Sequence, residues 1–110
     1  MANQLVPVRL LEAAAERFRI LSEPVRLVLL NHLNVEGEMT VQELVDATGQ
    51  RQSNVSKHLG QMADAGVLGR RRRGQNVLYR VIDPTISAMC LLVCGQLQAA
   101  GQGTTVTTPA

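Results

Sequence analysis

The 110 residues read as one mainly α-helical domain that carries a single small β-hairpin. Three observations predict this class. Apolar residues recur with a helical period over most of the chain. Proline, glycine and capping Thr or Asp residues bracket five such segments. One alternating stretch, split by Gly74-Gln75, has the form of two paired strands. Hydrophobic residues make up 45% of the chain, enough for a core. The aromatics are only Phe18 and Tyr79, so that core must be built from Leu, Val, Ile, Ala and Met.

The elements follow in order. Residues 1–7 form a flexible N-terminal arm. From Val8 to Leu21 apolar positions fall at Leu10, Leu11, Ala14, Phe18 and Leu21, a helical spacing. Ser22 followed by Pro24 marks a new start, with Ser as N-cap and Pro in the first turn. The second helix carries Val25, Leu27, Val28, Leu29, Leu30 and Leu33, so it should be nearly all buried, and Gly37 breaks it. Thr40 opens a third helix with Glu43 three residues on, the spacing of a capping box. Gly49 suits its left-handed end. A fourth helix runs from about Gln52 to Ala65 with Val55, Leu59 and Met62 inward, and Gly66 ends it. Extended segments Val67–Arg73 and Gln75–Ile82 follow. Asp83 caps the last helix and Pro84 fills its first position. Residues 101–110, GQGTTVTTPA, are a polar tail expected to be disordered.

The order is α-α-α-α-β-β-α. Helices three and four, joined by a short Gly-containing turn, form a helix-turn-helix, and the hairpin is its wing. In such a layout one helix enters a DNA major groove while the wing meets the neighbouring backbone. Charge supports that use. The net charge is only +2, yet seven of the eleven Lys and Arg residues lie between positions 51 and 80. A basic patch of this kind is the footprint of a polyanion binder.

The candidate DNA residues fall in two groups. At the start of the fourth helix stand Arg51, Gln52, Ser53, Asn54, Ser56, Lys57 and His58. Gln and Asn can pair bidentately with adenine edges, and Ser serves several bases. Gln52, Asn54 and Ser56 are the leading base readers, with Ser53 beside them. Lys57 and the helix N-terminus suit phosphates. His58 reads as a DNA or packing residue. The second group is the wing: Arg70, Arg71, Arg72 and Arg73, with Gln75 at the turn. Two of the arginines should project from each face of the hairpin. They suit phosphates or a narrow minor groove, and they also blunt an exposed strand edge.

The chain resembles the ArsR/SmtB family of bacterial winged-helix repressors. The resemblance is carried by FRILSEPVRLVLLNHL (18–33), TVQELVDATGQRQSNVSKHLGQMADAGVL (40–68) and VLYRVIDPTI (77–86), and covers about residues 8–100. It implies a homodimer built on the first and last helices, a two-fold operator, and release by a ligand or oxidant. The family's familiar metal sites are incomplete here. Where one places cysteines ahead of an acidic-Leu pair, this chain has Thr40-Val41-Gln42 before Glu43-Leu44. Where another uses ligands on the last helix, Asp83 remains but Thr85, Gln96 and Ala99 replace the rest.

Cys90 and Cys94 are spaced i,i+4 and share a helix face with Ile86, Val93 and Leu97, the stripe expected at a dimer seam. Two readings stay open. The thiols are small buried hydrophobes, or they receive a signal. The signal is a soft metal or metalloid ion held by paired thiolates, or oxidation and persulfidation. An intrahelical disulfide is disfavoured, because i,i+4 Cβ atoms lie about 5–6 Å apart and a disulfide wants about 3.8 Å.

The sequence therefore points to a DNA-binding repressor, with a repressor lacking a cysteine sensor or a protein-interaction winged helix as alternatives. No nucleophile-base pair, Gly-rich phosphate loop or metal triad suggests an enzyme. No apolar run reaches the roughly 18–20 residues of a membrane span. The N-terminus MANQLVPVRLL lacks a signal-peptide pattern, so a cytoplasmic protein is expected.

Overall fold

The computed structural model describes residues 4–101. Residues 102–110 of the predicted tail (101–110) and residues 1–3 of the arm lie outside the described part. Five helices and three strands follow one another: α1 (Val8–Leu21), α2 (Pro24–Glu36), β1 (Met39–Thr40), α3 (Val41–Thr48), α4 (Gln52–Asp64), β2 (Leu68–Arg73), β3 (Asn76–Val81) and α5 (Pro84–Ala99). The fold is a winged helix-turn-helix with an added helix at each end.

Local chemistry explains the boundaries. Thr40 and Glu43 form a complete capping box: the Glu43 amide donates to Thr40 Oγ1, and the Thr40 amide donates to Glu43 Oε1 at 2.9 Å. Gly49 ends α3 at φ +72°, a left-handed conformation that favours glycine. Asp83 caps α5 by accepting from the Thr85 amide, and Pro84 follows as predicted. The expected Ser22 cap is corrected. Glu23 precedes α2, while Ser22 ends α1 and its hydroxyl donates to the Arg19 carbonyl. Only two residues separate the helices, so Ser22 serves the one before it.

The hairpin is antiparallel, with Arg73 opposite Asn76 around Gly74-Gln75. Gly74 sits at φ +62°, as the first position of a two-residue loop requires. The two-residue β1 was not predicted. It pairs with β3, Met39 opposite Tyr79 and Thr40 opposite Leu78, giving the order β1-β3-β2. Two residues are too few to show alternation, so only the pairing reveals it.

One core holds the elements together. Leu29, Leu30 and Leu33 of α2 pack with Leu44 of α3, with Val55, Leu59 and Met62 of α4, and with Leu68 and Ile86. Ile86 is fully buried here and so leaves the expected seam stripe of α5. The second helix is also less buried than its composition predicts. Leu27 is 37% exposed and Val35 78%. Their side of α2 faces a groove shared with α5, where Cys90, Leu91 and Cys94 form the opposite wall. The ends of the chain meet where Arg17 Nε of α1 lies 3.0 Å from Asp83 Oδ2 at the start of α5.

Candidate nucleic-acid interface

Helix α4 divides cleanly. Val55, His58, Leu59 and Met62 face the core. Gln52, Ser53, Ser56 and Lys57, with Arg51 just ahead, lie exposed at its N-terminal half. The N-cap residue Arg51 makes no side-chain cap here, and a helix N-terminus favours an anionic partner. Asn54 lies on the flank, half-buried, with Nδ2 3.5 Å from Gln50 Oε1. It is less available than Gln52 or Ser56 for reading a base.

Of the two readings of His58, packing holds and the DNA contact is corrected. It is 6% exposed and its Nδ1 accepts from Arg26 Nε at 3.1 Å. A buried ring so engaged cannot lie on the reading face. Arg26 also donates through Nη2 to Gln61 Oε1, and its Nε lies 3.0 Å from Glu23 Oε2. Glu23 Oε2 is in turn 3.5 Å from His58 Nδ1. The first turn of α2 is thus fastened to the middle of α4. Burial pushes the His58 pKa below its ordinary value; nearby Glu23 opposes this, and Arg26 and Lys57 add to it. The ring is therefore neutral at neutral pH, as an Nδ1 acceptor must be.

The wing arginines have different surroundings. Arg70 lies over Tyr79, 5.8 Å from the ring centroid, with Nη2 3.6 Å from Asp64 Oδ1. Arg71 pairs with Glu38, ahead of β1. Arg72 and Arg73 are exposed and make no ion pair among the described residues. Gln75 is exposed in the turn. The strand alternation thus sends Arg70 and Arg71 to opposite sides, and leaves the tip-proximal pair for a ligand. Sequence pattern gave no sign of Glu38, Glu23, Arg26 or Gln61. Periodicity did carry one clue: His58 follows Val55 by three and precedes Met62 by four, which is the inward face.

The cysteines lie elsewhere. Cys90 packs partly against the core, Cys94 is exposed, and both thiols are free. Burial, then Cys94, raises the Cys90 pKa. Both border the α2–α5 groove and an apolar groove lined by Phe18, Leu21, Met89 and Val93. No group of three or more His, Cys, Asp or Glu residues placed to hold a metal occurs among the described residues. Two thiols do not fit a closed four-ligand site by themselves. No described helix is long and apolar enough to cross a membrane.

Comparison with known proteins agrees with this geometry. Residues 21–71 match the family described as "Helix-turn-helix domain". A probable mercury resistance operon repressor of Streptomyces lividans is 36% identical over 92 residues, which span 84% of this chain and 73% of that protein. Among solved structures, the AntR antimony-specific transcriptional repressor superposes with a TM-score of 0.84 at 30% identity, covering 92% of this chain and 91% of AntR. A homodimeric winged helix-turn-helix DNA-binding domain from Mycobacterium bovis, described as a possible ArsR-family regulator, gives a TM-score of 0.73 at 25% identity and covers 96% and 100%.

Proposed function

The chain belongs to the ArsR/SmtB family of winged helix-turn-helix transcriptional repressors, and we propose that it binds a two-fold operator as a homodimer and is released by a thiol-directed signal at α5. The observation that carries the DNA reading is the continuous exposed surface of Gln52, Ser53, Ser56 and Lys57 on α4, with Arg72 and Arg73 free on the wing. Side chains on α4 read base edges; the wing arginines and the α4 N-terminus hold phosphates.

The dimer reading rests on unpartnered apolar surface. Leu10, Leu11 and Phe18 of α1 and Leu92, Val93 and Leu97 of α5 are each between 45% and 73% exposed. Contiguous patches of this kind mark interfaces, and one relative in this fold is a homodimer. A second copy would also offer further thiols. The signal reading rests on Cys90 and Cys94, which share one side of α5 beside that surface. Relatives named for mercury and antimony support a soft ion as the agent. Oxidation is the other arm, although a thiol with a raised pKa is a poor nucleophile.

The test is fluorescence anisotropy on DNA from the gene's own upstream region. The reduced complex is challenged with Hg(II), Sb(III), As(III), peroxide and a persulfide donor, for wild type and for Cys90→Ser/Cys94→Ser. Release of wild type alone supports the thiol signal and names its chemistry. Equal behaviour of both proteins removes the cysteines from the mechanism and leaves the repressor.

A further inference from the structure

The wing carries an acid among its arginines. Glu38 Oε2 accepts from Arg71 Nε at 2.7 Å, and Oε1 accepts from Arg71 Nη2 at 2.8 Å. Arg80 Nη1 of β3 stands 4.0 Å from the same Oε2. The Arg71 hydrogen bond, opposed by burial and helped by the charges of Arg71, Arg80 and Arg73, lowers the Glu38 pKa, so the carboxylate is ionised throughout the neutral range. Paired fork to fork, the two groups form the strongest arrangement open to an arginine and a carboxylate. It is also an exchangeable one. The Arg71 side chain is 48% exposed and that of Glu38 29%. A DNA phosphate offers Arg71 the same bidentate partner, so carboxylate and phosphate compete for one guanidinium.

We propose that Glu38 is an acidic brake on the wing, holding Arg71 away from the DNA backbone and leaving Arg72 and Arg73 as the contacting pair. The withheld contact is to backbone, and backbone contacts carry no sequence information. The brake therefore weakens binding to operator and arbitrary DNA by about the same factor, while base reading by α4 is untouched. Glu38 thus sets how tightly the protein holds any duplex, and the preference for the operator stays where α4 puts it. This inference rests on the DNA-binding reading above.

The test measures binding to a random-sequence duplex over a salt series, with thermal melts to confirm folding. Glu38→Gln keeps the shape and removes the charge. For each wing it should tighten binding by about 1.4- to fivefold, the span of an exposed ion pair, and steepen the salt slope by about 0.9, one added phosphate contact. In an Arg71→Gln background the same change should add little. Weaker binding by Glu38→Gln would overturn the proposal, making Glu38 a support for an Arg71 contact. An equal gain in both backgrounds would overturn it too, leaving only a diffuse charge effect. Wild-type binding with no response to Glu38→Gln sinks the brake alone; no binding by wild type to any duplex sinks the DNA reading itself.

Discussion

Arg26 of α2 donates from Nε to Nδ1 of His58 on α4 across 3.1 Å. The bond ties the helix that borders the α5 groove to the helix proposed to read DNA. Arg26 is only 14% exposed at its side chain and also engages Glu23 and Gln61, so its position is fixed from both helices.

A first prediction concerns pH. Burial lowers the folded-state pKa of His58 below its ordinary 6.5. A base depressed on folding contributes stability that is fully present above the unfolded pKa and lost as pH falls through the folded one. Protonation would also remove the acceptor that Arg26 uses and place two cations together. Stability should therefore fall on acidification below about pH 6.5, before the carboxylates titrate. Glu38 and Asp83 are both held below the ordinary carboxylate range, so their protonation comes later. Urea denaturation between pH 7.5 and 5 checks this, and His58→Gln should flatten that limb.

The wing supplies a second prediction. Arg72→Gln/Arg73→Gln should lower the salt slope of DNA binding by about 0.9 for each phosphate no longer neutralised. Arg70→Gln should change it less, because Arg70 is already engaged by Tyr79 and Asp64. Anisotropy across a potassium chloride series separates the two variants.

A third prediction tests the turn between α3 and α4. Gly49 lies at φ +72°, and a Cβ at this position would meet nothing within 4 Å, so Ala there suffers backbone strain and no clash. Gly49→Ala should cost about 1–2 kcal/mol, read as a lower urea midpoint with an unchanged slope.

The dimer gives a fourth. Phe18 is 61% exposed and Leu92 73%. Phe18→Glu or Leu92→Glu should leave the monomer folded, since neither side chain belongs to the core. Each should shift sedimentation velocity to the monomer and weaken operator binding. A variant that remains dimeric would place the seam elsewhere.

Much of the fold was legible in the chain because caps and breakers act locally. Thr40 with Glu43, Gly49, and Asp83 with Pro84 each fix a boundary through bonds to residues a turn away. The inward face of α4 was legible for the same reason, from Val55, Leu59 and Met62. What escaped depends on contacts between distant residues. Arg26 and His58 lie 32 positions apart, and Glu38 and Arg71 lie 33 apart. No local pattern announces either pair. The burial of Ile86 and the exposure of Leu27 likewise depend on how α5 leaves β3 and crosses α2, which periodicity along a single helix does not encode.

Two symmetry-related chains, each presenting α4 and its wing, should together occupy one DNA site. Hydroxyl-radical footprinting on the upstream duplex decides this. Two protected patches related by a two-fold axis are expected, with half-sites about 34 Å apart or a multiple of that. In Arg72→Gln/Arg73→Gln only the flanking protection should disappear. A single unsymmetrical patch, or flanking protection that survives removal of both arginines, would contradict this arrangement.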